Sequence, residues 1–244
     1  MLRISRKLQR TWAVYRDLGL AAAASRLVRK VRHLFGWDDG AYANWLAQKA
    51  KTDEDFDATY GVQTGGVQEL FGYTISGSNA RYGLSHIASD PDEFTKLLAS
   101  LEIEASHHTF IDLGAGKGRA LILAAQLSFR RIIGVEFAAE LVEIAKANVG
   151  RLALARPAYR RIEVICTDAC EYRFPEEPMV IYLFNPFGSA VVRGVAENLM
   201  ASWRQKPRSI LVLYMNAVHL KEFHLAGWRL KSDNGVCAML VPDR

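Results

Sequence analysis

Cysteine is scarce and poorly spaced for cross-linking. Only Cys166, Cys170 and Cys237 occur in 244 residues, an odd number without a C-x-x-C pair. That argues against both a disulfide framework and a thiolate zinc site. Long apolar stretches are missing as well: no run reaches the eighteen or so uninterrupted apolar residues of a spanning helix. The start of the chain lacks the compact apolar core and cleavage site of a secretory leader. These absences favour a reducing, cytoplasmic setting. Cys166 and Cys237 fall in apolar runs and read, with Cys170, as small buried hydrophobes. The six histidines, His107-His108 included, show no H-E-x-x-H or related spacing, so no metal site is expected. They read as surface or lid residues, with His219 and His224 as candidates for contact with a substrate.

What is present is ordinary in bulk and uneven in distribution. Half the residues are hydrophobic and 23% are charged, the balance of a globular protein long enough for one catalytic domain plus an extension. Residues 1–33 hold nine Lys/Arg and one acid, Asp17, whereas the rest hold 22 basic against 25 acidic residues. The excess positive charge therefore belongs to the N-terminal arm.

Within that arm, Ile4, Leu8, Trp12 and Tyr15 recur at helical spacing opposite Arg3, Arg6, Lys7 and Arg10. After Gly19 a second stripe of Leu20, Leu27, Val28, Val31, Leu34 and Phe35 is backed by Arg26, Arg29, Lys30 and Arg32. The pattern predicts two basic amphipathic helices over residues 1–38. Such helices pack on their own domain or on a second copy, lie on an anionic membrane, or meet nucleic acid. Arginine-rich, acid-poor ends of this kind also occur in organellar transit peptides.

Residues 39–89 are expected to be a loop-rich lid or linker, because Gly61, Gly65, Gly66, Gly72, Gly77 and Gly83 interrupt them repeatedly. The acids Asp53, Glu54, Asp55 and Asp57 read as a solvated face. Phe71, Tyr73 and Tyr82 are lid aromatics that either enclose a ligand or anchor the loop. Asp90-Pro91-Asp92-Glu93 then gives a helix start with Asp90 as N-cap, leading into a domain over 90–244.

The decisive stretch is Phe110 to Arg119, F-I-D-L-G-A-G-K-G-R. An apolar strand ends in Asp112, glycines follow at alternate positions, and an apolar helix begins. Gly114, Gly116 and Gly118, with Ala115 between them, let a ligand lie against the backbone beside helix N–H groups. Asp112 can accept a hydrogen bond from a cationic ligand group. The spacing is neither G-x-G-x-x-G nor a phosphate loop, since Gly118 follows Lys117, which argues against NAD and nucleoside triphosphates.

Asp112-Leu113-Gly114-Ala115-Gly116-Lys117-Gly118 resembles the first motif of the class I S-adenosylmethionine-dependent methyltransferases. The resemblance implies an α/β fold: a Rossmann-like, doubly wound, mostly parallel sheet with a terminal antiparallel hairpin, preceded by the helical extension. Alternating strands and helices agree with it. The strand Arg131–Glu136 ends in an acid eighteen residues beyond Gly118, placed to accept both hydroxyls of a ribose or to cap the next helix. Phe137 beside it is placed to stack on adenine. A third strand ends at Asp168-Ala169, where the resemblance implies an acid for the adenine amino group and a backbone N–H for the ring.

The fourth strand, M-V-I-Y-L-F, leads into Asn185-Pro186-Phe187-Gly188. This is similar to the N-P-P-Y/F motif of amino-group methyltransferases, in which the Asn carbonyl orients the substrate amine. Here Phe187 stands at the second proline and Gly188 at the aromatic, so Asn185 and Pro186 match more closely than Phe187. The resemblance implies S-adenosylmethionine as cofactor and methyl transfer to an amino nitrogen of a protein or small molecule. Oxygen or carbon methylation of a small molecule is one alternative, and a non-catalytic binding protein of the same fold is another. The methyl acceptor is unknown, and nucleic acid stays open as one.

Overall fold

The computed structural model describes residues 40–66, 73–75 and 87–243. The two basic helices expected within 1–38, and the lid residues Phe71 and Tyr82, lie outside them.

Among the described residues, seven strands form one sheet. They are β1 (Thr109–Leu113), β2 (Arg131–Glu136), β3 (Ile162–Cys166), β4 (Met179–Phe184), β5 (Ile210–Met215), β6 (Trp228–Asp233) and β7 (Cys237–Pro242). Their order across the sheet is β3-β2-β1-β4-β5-β7-β6. The first five are parallel, whereas β7 runs antiparallel between β5 and β6. The terminal hairpin therefore extends the sheet by two strands, with the last strand of the chain inside and β6 at the edge.

The central strands read as unbroken apolar runs because both faces of the sheet are covered. Ile111, Ile133, Ile181 and Val212 belong to one core cluster with Val192, Val195 and Leu199 of helix α5 (Ser189–Gln205). Phe110, Ile132, Val180 and Leu211 face the other way, toward Phe94, Leu97 and Leu98 of α2 (Pro91–Ala99) and toward α3 (Arg119–Ala124). Each such side chain, fully buried, contributes roughly 1.5–3 kcal/mol of transfer free energy. Asp90 caps α2 as expected, accepting from the N–H groups of Asp92 and Glu93 at 3.0 Å. Two further helices, α4 (Ala139–Ala155) and α6 (Leu220–Leu225), complete the described domain.

Four sequence expectations need correction. Residues Gly40–Tyr60, in the stretch read as loop-rich, form a 21-residue helix, α1. Its acids are not all a solvated face: Glu54 and Asp55 are exposed, but Asp53 is buried against Arg119 and Lys49. Asp57 accepts from the backbone N–H groups of Thr64 and Gly65. Cys166 is exposed rather than buried, because its apolar run is an edge strand. His108, read as a surface residue, is buried, with Nδ1 2.9 Å from the Glu104 carbonyl and Nε2 3.3 Å from Ser209 Oγ.

Candidate active site

The C-terminal ends of β1, β2 and β4 meet around one cavity. In the parallel register Asp112 lies beside Gly134 on β2 and Tyr182 on β4. Side chains alternate along a strand, so Glu136 projects on the same face as Asp112. Both carboxyls are buried and both line the cavity. Burial, with the Glu136 charge nearby, pushes the Asp112 carboxyl up to about 8. Burial also raises Glu136, against backbone N–H groups that stabilise its charge.

Glu136 is already engaged. Its Oε1 accepts from the N–H groups of Phe137 and Ala138 at 2.9 and 3.0 Å, and its Oε2 accepts from Gly116 N–H at 2.8 Å. The carboxylate thus ties the glycine turn to the two residues that precede α4, whose N-cap, Ala138, has no side-chain cap. A carboxylate offers about four lone-pair sites. Accepting two ribose hydroxyls as well requires Gly116 N–H to be shared or released.

All three glycines of the turn have positive φ: 87° at Gly114, 54° at Gly116 and 88° at Gly118. Close approach matters most at Gly114, where a Cβ would stand 2.5 Å from Pro186 Cβ. The glycine turn and the Asn-Pro motif are therefore packed together. Asn185 has a φ of 39°, and its Oδ1 is buried with no hydrogen-bond partner. An unsatisfied buried carbonyl costs about 1–3 kcal/mol, so an incoming N–H has something to gain there. Pro186 and Phe187 line the cavity, as do Ala115 and Phe137.

Not every expected residue reaches that cavity. Gly116 and Gly118 stand behind its wall, and Asn185 is represented in the lining by the residues on either side of it, Phe184 and Pro186. Asp168 and Ala169 are buried beyond β3 but outside the lining, and Asp168 Oδ1 accepts from Cys170 N–H at 2.9 Å. His219 and His224 are also outside it, His224 Nδ1 being 3.0 Å from the Trp228 carbonyl. Of the lid aromatics, Tyr73 packs with Phe137 and Leu141, next to an antiparallel bridge between Ile75 and Ala138.

Residues 110–205 match the model of a family described as a methyltransferase domain. That match takes in the glycine turn, Glu136 and the Asn-Pro motif, and it supports an S-adenosylmethionine-dependent methyltransferase. No curated protein matches it. Among solved structures it is similar in fold to a predicted N6-adenine-specific DNA methylase from Listeria monocytogenes, with a TM-score of 0.50 and 15% identity over 64% of this chain and 51% of that one. A mitomycin 7-O-methyltransferase gives 0.48 and 16%, over 63% and 54%. A methyltransferase from Geobacter sulfurreducens in complex with S-adenosylhomocysteine gives 0.43 and 19%, over 58% and 65%. The chain spans about half the length of the first two. At these identities the likeness is one of fold.

The donor set of the cavity fits S-adenosylmethionine, the cofactor that the resemblance implies. Two buried carboxyls face a cavity whose apolar wall includes Ile87, Leu141, Phe137 and Phe187, an arrangement suited to a ligand with a cationic end and an apolar body. The sequence reading missed three further polar residues of the cavity: Ser89, Tyr182 and Arg119. The hydroxyls of Ser89 and Tyr182 are 2.9 Å apart and buried. A tyrosine inside the otherwise apolar run of β4 was the available signal for that pair. Arg119 follows the last glycine directly, yet its partners lie in α1 and the loop after it, far upstream in sequence.

Proposed function

We propose that this chain transfers a methyl group from S-adenosylmethionine to an amino nitrogen. The observation that carries the nitrogen assignment is Asn185 Oδ1, a buried carbonyl without a partner, held at positive φ next to Pro186. When bound, the sulfonium cofactor supplies an electrophilic methyl group. Asp112 accepts from its ammonium, and Glu136, at the end of the neighbouring strand, takes its ribose. Asn185 accepts an N–H of the acceptor amine and so aims the nitrogen lone pair, while Phe187 keeps water from the reacting atoms. An amine that arrives as a cation must first lose a proton, which an apolar pocket favours. No strong general base is then needed.

The Listeria structure is named for an amino-nitrogen acceptor and the mitomycin enzyme for an oxygen acceptor, so the relatives do not choose between atoms. The chemistry of Asn185 favours nitrogen. Replacing Asn185 by Ala is expected to reduce methyl transfer by about 10²–10³-fold, the usual effect of losing one positioned polar group. Cofactor affinity should stay unchanged by calorimetry. Undiminished transfer by the variant would sink the assignment of Asn185 and return oxygen and carbon acceptors to equal standing.

A further inference from the structure

Arg119 stands directly after the glycine turn, is 2% exposed, and lines the same cavity as Asp112 and Glu136. Its guanidinium is divided between two duties. Nε donates to Thr64 Oγ1 at 2.7 Å, and Nη1 pairs with Asp53 while lying 3.4 Å from the Ser89 carbonyl. The plane rests over the Phe56 ring, 4.7 Å from its centroid. Nη2 is different: it is buried and makes no hydrogen bond, its one recorded contact being a long ion pair with the Asp57 carboxylate at 3.5 Å. A guanidinium N–H taken out of water and left without an acceptor is costly. Because Arg119 lines the cavity, an acceptor that arrives there with a ligand would relieve that cost.

The cavity therefore presents a carboxyl and a guanidinium together. An α-amino acid carries the complementary pair, an ammonium and a carboxylate, on one carbon. Arginine is the side chain suited to the carboxylate, because its planar fork keeps its direction when one arm is anchored. Here the anchor comes from outside the glycine motif: α1 supplies Asp53, and the loop after it supplies Thr64.

We propose that Arg119 is the carboxylate-binding residue of the cofactor site, its Nη2 donating to the carboxylate of the amino-acid end, and that Asp53 is the positioning residue that holds it there. The assignment rests on the cofactor reading above. It makes α1 part of the site rather than a spacer before the domain.

The test is calorimetric titration of the full chain with S-adenosylhomocysteine and with its decarboxylated analogue, which keeps the amine and lacks the carboxylate. Wild-type protein is expected to bind the analogue more weakly by about tenfold to a hundredfold, the worth of a hydrogen bond to a charged group. In Arg119→Gln the two affinities should converge, with the loss falling on S-adenosylhomocysteine. Asp53→Asn should weaken S-adenosylhomocysteine and spare the analogue, whereas a purely structural role for Asp53 would weaken both alike. Equal binding of the two ligands by wild-type protein overturns the assignment and leaves the cofactor reading standing. Binding of neither by the folded protein overturns both. The wild-type comparison decides the matter even if Arg119→Gln does not fold.

Discussion

Gly114 rests on Pro186: a Cβ at the glycine would lie 2.5 Å from the proline Cβ, and the glycine has a φ of +87°. One contact thus joins the turn expected to hold the cofactor to the motif expected to hold the acceptor. Any residue larger than glycine must both strain its own backbone and push Pro186, with Asn185 attached, out of place.

Gly114→Ala should accordingly harm stability and chemistry together. Left-handed backbone costs a residue with a Cβ roughly 1–2 kcal/mol, and overpacking adds about 1–3 kcal/mol. The expected outcome is a destabilisation of about 2–5 kcal/mol. It would be read as a lower urea midpoint with an unchanged slope. Methyl transfer should fall further than the loss of folded protein explains. A variant as stable as wild type would mean that β4 and its Asn-Pro end yield easily.

Asp112 makes the site sensitive to pH. Its carboxyl is raised to about 8 by burial and by the neighbouring charge of Glu136, far above the ordinary value of 3.8. The sign follows from linkage. A raised pKa favours the fold while the group is protonated, and that contribution is lost as pH climbs from about 4 through about 8. Asp112→Asn should remove the loss, so the variant should exceed wild type in urea stability at pH 8–9 and approach it near pH 5. A cationic ligand prefers the ionised form. Wild-type affinity for S-adenosylhomocysteine should therefore rise from pH 6 to 8, with a proton released on binding, and Asp112→Asn should flatten that rise. Identical profiles for the two proteins would remove Asp112 from the ligand.

Arg119 and Asp53 form a buried pair, 2% and 8% exposed at their side chains. Truncating one partner of such a pair strands the other charge, at a cost of about 3–5 kcal/mol. Asp57, 3.5 Å from Nη2, can take up part of the burden. Asp53→Ala should therefore fall near the lower end of that range in chemical denaturation. The double variant Asp53→Ala/Arg119→Met should recover stability relative to Asp53→Ala, because it removes the stranded charge as well. Failure to recover would show that Arg119 contributes mainly through packing on Phe56.

The sheet was legible because local rules and the global fold agree along it. Arg131–Glu136 holds a buried Ile-Ile-Gly-Val run that ends in an acid, and Met179–Phe184 is an apolar run between Pro178 and Asn185-Pro186, so their limits were readable. The glycine turn was legible for the same reason. What escaped is long-range. Asp53 looks like one of several surface acids until Arg119, 66 residues later, is brought against it. Cys166 sits in an apolar run that differs from β2 only by lying at the sheet edge, which is a fact of topology and not of composition. The six-residue α6 is too short to show a helical period. Position 148 shows the same limit in one residue. It lies on the buried face of α4, and its partners are far off in sequence.

Asn148 gives the last prediction. It is 2% exposed, its Oδ1 accepts from Gln63 N–H at 2.9 Å, and its Nδ2 donates to the carbonyls of Gln63 and Lys117 at 3.1 and 3.0 Å. A single amide therefore clips the loop after α1 to the glycine turn. Lys117 adds a second clip, its ammonium donating to the Gly65 carbonyl at 2.7 Å. Asn148→Ala leaves one backbone N–H and two carbonyls of this junction without their partner, each worth about 1–3 kcal/mol while buried. Water can reach them only if the loop lifts. The loss should therefore appear as local opening rather than global unfolding. Amides of residues 61–66 are expected to exchange faster, by about tenfold or more for about 1.4 kcal/mol of lost local stability, while those of β1, β4 and β5 keep their protection. If Arg119 depends on this junction, affinity for S-adenosylhomocysteine should fall in the same variant, with the decarboxylated analogue little changed. Uniform loss of protection across the sheet would instead make Asn148 part of the global core, and α1 would then fold and unfold as one unit with the domain.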